Sequence, residues 1–180
     1  MTHEIETKVL EIDKDEIIKK IISVGGKKTG ETRLNVNWYR LRGTKEGDEQ
    51  WFLRIRSNSQ GKHEVTWKAK SETLGIARKH EEINLFVEDA EKLGKIFEEI
   101  GLEKYAHQEK DRTSLTLKNC PLEIDEYPGM PAFLEIEGES EESIKEIIKL
   151  LELEKNKTWE KGERILIQEI YDLDWYKMRF

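Results

Sequence analysis

Two pairs of glutamates stand two residues apart, Glu4 with Glu6 and Glu135 with Glu137. In an extended segment that spacing puts both carboxylates on one face, about 6.6 Å from each other. At an effective dielectric of 20 their unscreened repulsion is roughly 2.5 kcal/mol, so the arrangement calls for a cation. Lys8 shares the face of the first pair, and Asp125 stands in an acidic Glu123-x-Asp125 pair. Basic residues recur at the same spacing in Arg54 and Arg56, Lys68 and Lys70, and Lys110 and Arg112, while Arg78 precedes Glu82 by four. Carboxylate oxygens suit hard divalent ions such as Mg²⁺. Guanidinium forks and compact ammonium groups match phosphate oxygens. The combination reads as a polar interior that holds a cation and an oligophosphate together.

Residues that must converge in this way need strands to carry them, and a hydrophobic period of two supplies the candidates. Strands are expected over residues 3–11, 32–42, 50–56, 63–70, 76–87, 107–117, 122–126 and 133–137. Their apolar faces carry Ile5 and Val9, Leu53 and Ile55, Val65 and Trp67, Ile83 and Leu85, Leu122 and Ile124, and Leu134 and Ile136. A single strand with a charged wet face is ordinary. Here the signs segregate by strand, acidic at the two ends of the series and basic in the third, fourth and sixth, whereas solubility alone would mix them.

Helices are expected after Asp13, where Ile17, Ile18, Ile21 and Ile22 keep the helical period up to Gly25-Gly26, and over residues 88–100. A third follows Ser140, and a fourth spans residues 162–171. Many strands, few helices and hairpin-length links predict an α+β chain with an antiparallel sheet. Closing that sheet into a barrel would remove the edges of its long strands. Trp38, Trp51 and Trp67 fall in phase with apolar neighbours and are expected between barrel and helices. The Glu- and Lys-rich stretch 153–161 reads as a solvated connection.

Composition excludes several classes. The 180 residues include 31 Lys and Arg against 38 Asp and Glu, a net charge of −7, which weighs against capture of nucleic acid by bulk charge. No run reaches the ~18 apolar residues of a membrane span. The opening residues are charged where a signal peptide is apolar. The single cysteine, Cys120, permits no internal disulfide, so the expected setting is the cytoplasm, with no membrane partner. One domain over residues 1–180 is expected, with the part from about 153 set apart as an extension. His3, His63, His80 and His107 lack zinc-ligand spacing, Cys120 has no paired base, and Gly25-Gly26 is a helix stop without a phosphate-loop pattern.

Taken together, these residues resemble the CYTH superfamily, the triphosphate tunnel metalloenzymes. His3-Glu4-Ile5-Glu6-Thr7-Lys8 is similar to that family's Glu-x-Glu-x-Lys signature, and Leu53-Arg54-Ile55-Arg56 to its Leu-Arg-x-Arg strand. Thr66-Trp67-Lys68-Ala69-Lys70 is similar to the Thr-x-Lys strand, and Lys110-Asp111-Arg112 to the Lys-x-Arg motif. Asp125-Glu126-Tyr127-Pro128-Gly129 followed by Phe133-Leu134-Glu135-Ile136-Glu137 is similar to the Asp, turn, Phe-x-Glu-Ile-Glu ending. The resemblance implies an eight-stranded antiparallel closed β-barrel, the triphosphate tunnel, with helices packed outside. It implies a triphosphate-bearing small molecule as partner, and Mg²⁺ or Mn²⁺. By the same resemblance Glu4, Glu6, Glu82, Asp125, Glu135 and Glu137 hold or tune the metal. Lys8, Arg54, Arg56, Lys68, Lys70, Arg78, Lys110 and Arg112 bind phosphate, and catalysis rests on Glu4, Glu6, Lys8, Glu135 and Glu137.

The sequence departs from the family in places. Asn37 stands where many members place Asp, and His80 where Glu is common; Lys157-Thr158-Trp159 is similar to a Lys-Ser-Tyr element that can close one tunnel mouth. The expected function is a metal-dependent phosphohydrolase acting on inorganic, thiamine or nucleoside triphosphate. A class IV-like adenylyl cyclase yielding cyclic AMP and pyrophosphate is the runner-up. The third reading is a non-catalytic polyphosphate- or nucleotide-binding module, against which the retention of both glutamate pairs counts. A homodimer is left open.

Overall fold

The structure, a computed structural model, describes residues 2–180; Met1, the first residue of the expected domain, lies outside the described residues. The chain runs β1 (Thr2–Val9), α1 (Lys14–Ser23), β2 (Lys27–Leu41), β3 (Trp51–Asn58), β4 (His63–Ala69), β5 (Glu72–Leu74) and β6 (Ala77–Val87). It continues with α2 (Ala90–Glu99), β7 (Leu102–Leu117), β8 (Cys120–Glu126), β9 (Phe133–Gly138), α3 (Glu141–Leu150), β10 (Thr158–Trp159), α4 (Glu163–Tyr171) and β11 (Lys177–Met178).

Eight strands close a ring in the order β1, β9, β8, β7, β2, β3, β4, β6 and back to β1, with every neighbouring pair antiparallel. This is the closed antiparallel barrel with four helices outside that the motifs imply. Its register already brings charges together. Across β1 and β6, Glu6 faces Arg78 and Glu4 faces His80; across β1 and β9, Glu6 faces Glu137 and Lys8 faces Glu135.

The helices form where caps and apolar stripes coincide. Asp13 accepts from the Glu16 N–H at 2.9 Å and Asp89 from the Lys92 N–H at 2.9 Å, each satisfying an otherwise orphaned donor. Ser140 and Ser143 make the reciprocal bonds of a capping box. α1 and α3 press Ile17, Ile21, Ile144 and Ile147 onto the outward side chains Val9, Leu122, Ile124, Leu134 and Ile136. Full burial of each such side chain contributes about 1.5–3 kcal/mol. α2 covers Tyr39, Leu53 and Ile55. It approaches so closely that a Cβ on Gly94 would lie 2.7 Å from the Tyr39 hydroxyl. α4 is placed differently: its Leu166 and Ile167, with Trp159, Trp175 and Met178, pack on Leu10, Trp38, Tyr127 and Phe133 and so stop one end of the barrel with apolar bulk.

Several expectations from sequence need correction. β2 begins at Lys27 rather than near 32, because Lys27 and Lys28 pair with Thr116 and Leu115 of β7 although that stretch is polar and exposed on both faces. β7 begins directly after Gly101, with Leu102 pairing to Leu41. The stretch 153–161 is no solvated connection. Leu153 and Trp159 are buried, and Thr158 and Trp159 pair with Val9 and Lys8. Trp38 lies on the inner rather than the outer face of the barrel: it pairs in register with Arg54, is 8% exposed, gives its indole N–H to Gln108, and meets a helix only where α4 stops the barrel end.

Candidate functional site

Glu4, Glu6 and Glu137 each bring a carboxylate oxygen within 4.8 Å of the others, and Glu4 makes a second such group with His80 and Glu82. The two groups differ in how far their charge is balanced. In the second, Lys68 Nζ lies 3.1 Å from Glu4 and also contacts Glu82, while His80 Nε2 lies 3.1 Å from Glu4. Burial would depress the His80 pKa, but its bonds to Glu4 and Glu82 raise it above the ordinary value. Burial likewise opposes ionisation of Glu82, and the contacts with His80 and Lys68 overcome it and hold the carboxyl well below the usual range.

In the first group the balance is incomplete. Glu6 accepts from Arg78 Nε at 2.6 Å; against burial, Arg78 with Lys8 and Lys68 brings its pKa down to about 2. Glu137 makes no ion pair among the described residues, and burial together with Glu135, Glu4 and Glu6 pushes its carboxyl up to about 8. Three crowded carboxyl groups, with Glu137 lacking a paired cation among the described residues, offer the all-oxygen donor set that a hard divalent cation takes. The residues present therefore fit the metal that the family fold implies.

Around these groups run locked pairs. Lys8 Nζ lies 2.8 Å from Glu135 and 3.8 Å from Glu6. Arg112 grips Asp125 through two bonds of 2.6 and 2.7 Å, a bidentate geometry. Lys110 Nζ donates to Asp125 at 2.7 Å and to Glu163 at 2.9 Å, and the Tyr127 hydroxyl donates to Glu163 at 2.5 Å.

The opposite imbalance stands on β3. Arg54 makes no ion pair among the described residues and its Nε is buried without a partner. Arg56 donates to Glu64 at 2.5 Å, yet burial and the like charges of Arg54 and Arg112 press its pKa below the ordinary guanidinium value. A buried donor without an acceptor is costly. An anion in the lumen would relieve it.

A cavity enclosing about 630 Å³, part of it open to solvent, passes Glu6, Arg54, Lys68, Arg78, Arg112 and Glu135. A second opening is lined by Arg56, Glu64, Ser114 and Glu123 and shares Arg112 with the first.

The structure thus brings most of the expected residues to one lumen, but not in uniform settings. Lys70 is exposed beyond the end of β4 and stands apart from the rest. Asp125 is fully buried between Lys110 and Arg112 and belongs to neither carboxylate group; Glu135 is likewise held by cations. Lys110, expected on phosphate, is committed to Asp125 and Glu163. Asn37 lies on the outward face, with its side-chain oxygen 2.8 Å from His107 Nδ1, so its departure from the family's Asp does not reach the lumen. The sequence motifs do not point to Glu163, Arg164, Tyr105, Trp175 or Phe52, all of which line the cavity. Only Phe52 carries a signal, since it shares the phase of Arg54 and Arg56 and therefore their inward face. His80, which by sequence could as well touch phosphate as lie on the surface, is buried against Glu4.

Comparison with known proteins agrees with this geometry. The CYTH domain family model matches residues 2–163. A Methanocaldococcus jannaschii protein named "putative adenylate cyclase" is 32% identical over 152 residues, which are 83% of each chain. A Vibrio parahaemolyticus structure described by the same words superposes with a TM-score of 0.75 at 12% identity, covering 93% of this chain and 98% of that one. A Hippeastrum structure, described as a putative adenylyl cyclase with a dominant triphosphatase activity, superposes with a TM-score of 0.69 at 13% identity, covering 94% and 96%. At such identities the two structures speak for the fold alone. Among the described residues no helix is long and apolar enough to cross a membrane.

Proposed function

We propose that this chain, which belongs to the CYTH domain family, is a divalent-metal-dependent phosphohydrolase acting on a triphosphate inside its barrel. The observation that carries the reading is the pair of opposed imbalances in one lumen: surplus carboxylate at Glu4, Glu6 and Glu137, and unpaired guanidinium at Arg54 beside Arg56. A non-catalytic binder would need the second and not the first.

Glu4, Glu6 and Glu137 would hold Mg²⁺ or Mn²⁺, which when bound neutralises phosphate oxygens and orients an attacking water. Arg54 and Arg56 take the phosphate chain and neutralise charge as it builds on the departing oxygen. Lys68 and Arg78 pair with Glu4 and Glu6 and hold their carboxyl groups in place. In hydrolysis a bond forms from the water oxygen to the terminal phosphorus, the bridging P–O bond breaks with its electron pair passing to the diphosphate leaving group, and orthophosphate forms with one of the water's protons released to solvent. Nothing in this step needs a covalent enzyme intermediate, and no nucleophile with an activating base is required of the chain.

A second reading, adenylyl cyclase, is favoured by the name of the 32% identical relative. For the Hippeastrum protein a cyclase name goes together with a triphosphatase activity, so a name alone does not choose. The test is product analysis with a panel of triphosphates in Mg²⁺ and in Mn²⁺. Orthophosphate plus a diphosphate is the expected result. Cyclic AMP plus pyrophosphate from ATP would replace hydrolase by cyclase, and no turnover despite tight binding would replace both by a binding module.

A further inference from the structure

Three neighbouring strands bring four side chains to one point on the lumen wall. β6 turns His80 and Glu82 inward two residues apart; β1 sets Glu4 opposite His80, and β4 sets Lys68 opposite Glu82. One ligand atom each from Glu4, His80 and Glu82 lies within 4.8 Å of the other two. The Lys68 ammonium sits among them, with Nζ 3.1 Å from Glu4, 3.2 Å from His80 Nε2 and in contact with Glu82. That is the place of a cation with three ligands, and the ammonium fills it imperfectly. It brings one positive charge to two carboxyl groups. His80 Nε2 faces both Glu4, which calls for a donor, and Lys68, which calls for an acceptor, and one ring nitrogen cannot serve both. His80 Nδ1 is buried with no partner among the described residues, so no hydrogen bond on that side accounts for an imidazole here. Burial and the Arg54 charge act against the Lys68 ammonium, and Glu6, Glu4 and Glu82 outweigh them.

We infer that Glu4, His80 and Glu82 form a divalent-cation site whose place Lys68 keeps until phosphate draws the ammonium away. With a nitrogen among its donors, the site takes a transition-metal ion such as Mn²⁺ in preference to Mg²⁺. This rests on the triphosphate reading above. Imidazole suits first-row transition metals whereas Mg²⁺ keeps to oxygen, and the group of Glu4, Glu6 and Glu137 offers oxygen alone. Lys68 and Arg54 both line the cavity, so an oligophosphate entering along it meets the two cations together. Phosphate oxygens give Lys68 a new anionic partner and offset its repulsion from Arg54. A divalent ion then supplies two charges where the ammonium supplied one. Each ligand alone is handicapped, since the ion must first expel Lys68 and the phosphate finds Lys68 engaged. Metal and triphosphate therefore bind with positive coupling, each raising the affinity of the other by the same factor.

Pulsed electron paramagnetic resonance of Mn²⁺ bound to the full chain tests it, since a ligating imidazole adds a nitrogen hyperfine coupling that an all-oxygen site lacks. Spectra are taken at about pH 8, which favours the neutral ring that a metal requires. In the wild type the coupling should be weak or absent with Mn²⁺ alone and should appear when tripolyphosphate is added. Lys68→Met keeps the bulk of the side chain without its charge and should show the coupling with Mn²⁺ alone. His80→Gln should lose it under every condition, and in competition with Mg²⁺ should reduce the preference for Mn²⁺ on the order of ten-fold. If Lys68→Met fails to fold, the wild type and His80→Gln still decide. No nitrogen coupling in the wild type with tripolyphosphate, a coupling that survives His80→Gln, or one that is full with Mn²⁺ alone would each overturn the inference. Triphosphate hydrolysis by the same sample would leave the triphosphatase reading standing. A wild type that neither binds Mn²⁺ nor turns over any triphosphate would overturn both.

Discussion

Glu137 offers a test in which a substitution at the candidate metal site should stabilise the protein. Its carboxyl is pushed up to about 8 by burial first and by Glu135, Glu4 and Glu6 next. An acid whose folded pKa lies above its unfolded value costs no stability below the unfolded pKa of 4.5; the cost grows as pH rises and is complete above about 8. Two carboxylates no more than 4.8 Å apart repel by at least about 3–4 kcal/mol at an effective dielectric of 20 before salt screening. Partial exposure and screening bring the net figure to roughly 2–4 kcal/mol. For a chain of this size 1 kcal/mol corresponds to about 2–4 °C in Tm. Glu137→Gln should therefore raise Tm by roughly 5–15 °C at pH 9 in EDTA, and by only about 1–3 °C at pH 5, where Glu137 itself is protonated. Adding Mn²⁺ at pH 9 should raise the wild-type Tm and close the gap, while the variant barely responds and hydrolyses nothing. Calorimetry at the two pH values, with and without metal, reads all of this. A variant less stable than wild type at pH 9 without metal would refute the reasoning, because it would mean that Glu137 is held by attraction rather than crowded by repulsion.

Arg78→Ala removes the partner of a buried carboxylate and should cost about 3–5 kcal/mol in chemical denaturation, whereas Arg54→Ala should leave stability nearly unchanged. Arg54→Ala should instead weaken tripolyphosphate binding by about 1.5–3 kcal/mol at any metal concentration; equal stability losses for the two would contradict the difference in pairing. Tripolyphosphate with Mg²⁺ should raise Tm more than orthophosphate with Mg²⁺, by up to about 2.7 kcal/mol of stability at a hundredfold excess over Kd, and equal shifts would mean that the lumen does not measure chain length. Glu163→Ala leaves the Tyr127 hydroxyl and one bond of Lys110 unmet, and should lower stability by about 1–3 kcal/mol; no change would show that α4 does not anchor the closed end through this carboxylate.

The period of two makes the barrel legible, since opposite faces of each strand are chemically distinct from Glu4 through Glu137. Legibility fails where alternation does. Residues 27–31 are polar on both faces and join β2 only because β7 lies beside them to accept the pairing. The phase of Trp38 with Val36 says that the two share a face but not which face; the register with Arg54 settles that, and register is a property of two strands. Glu163 is 53 residues from Lys110, so the bond between them is invisible until the chain after 153 is folded across the barrel end. Lys70 has the right phase, but β4 ends at Ala69. The phase of Phe52 is readable and points inward, an instance where the pattern holds more than the motif draws attention to.

The uneven neutralisation inside the barrel has a topological cause. A flexible chain with surplus carboxylate at Glu137 and an unpaired guanidinium at Arg54 would bring the two together. Here Glu137 is on β9 and Arg54 on β3, which lie four strands apart in a ring of eight and hence on opposite walls. The pairs that could have spread the charge are locked locally: Lys8 on β1 with Glu135 on the adjacent β9, and Arg112 on β7 with Asp125 on the adjacent β8. Neighbouring strands can trade salt bridges, but strands facing each other across a lumen cannot. What joins the acidic wall to the basic one must therefore enter from outside, with a cation for the first and an anion for the second. A metal–triphosphate complex carries both in one small molecule, and its binding free energy includes the relief of two imbalances that the fold itself prevents from cancelling.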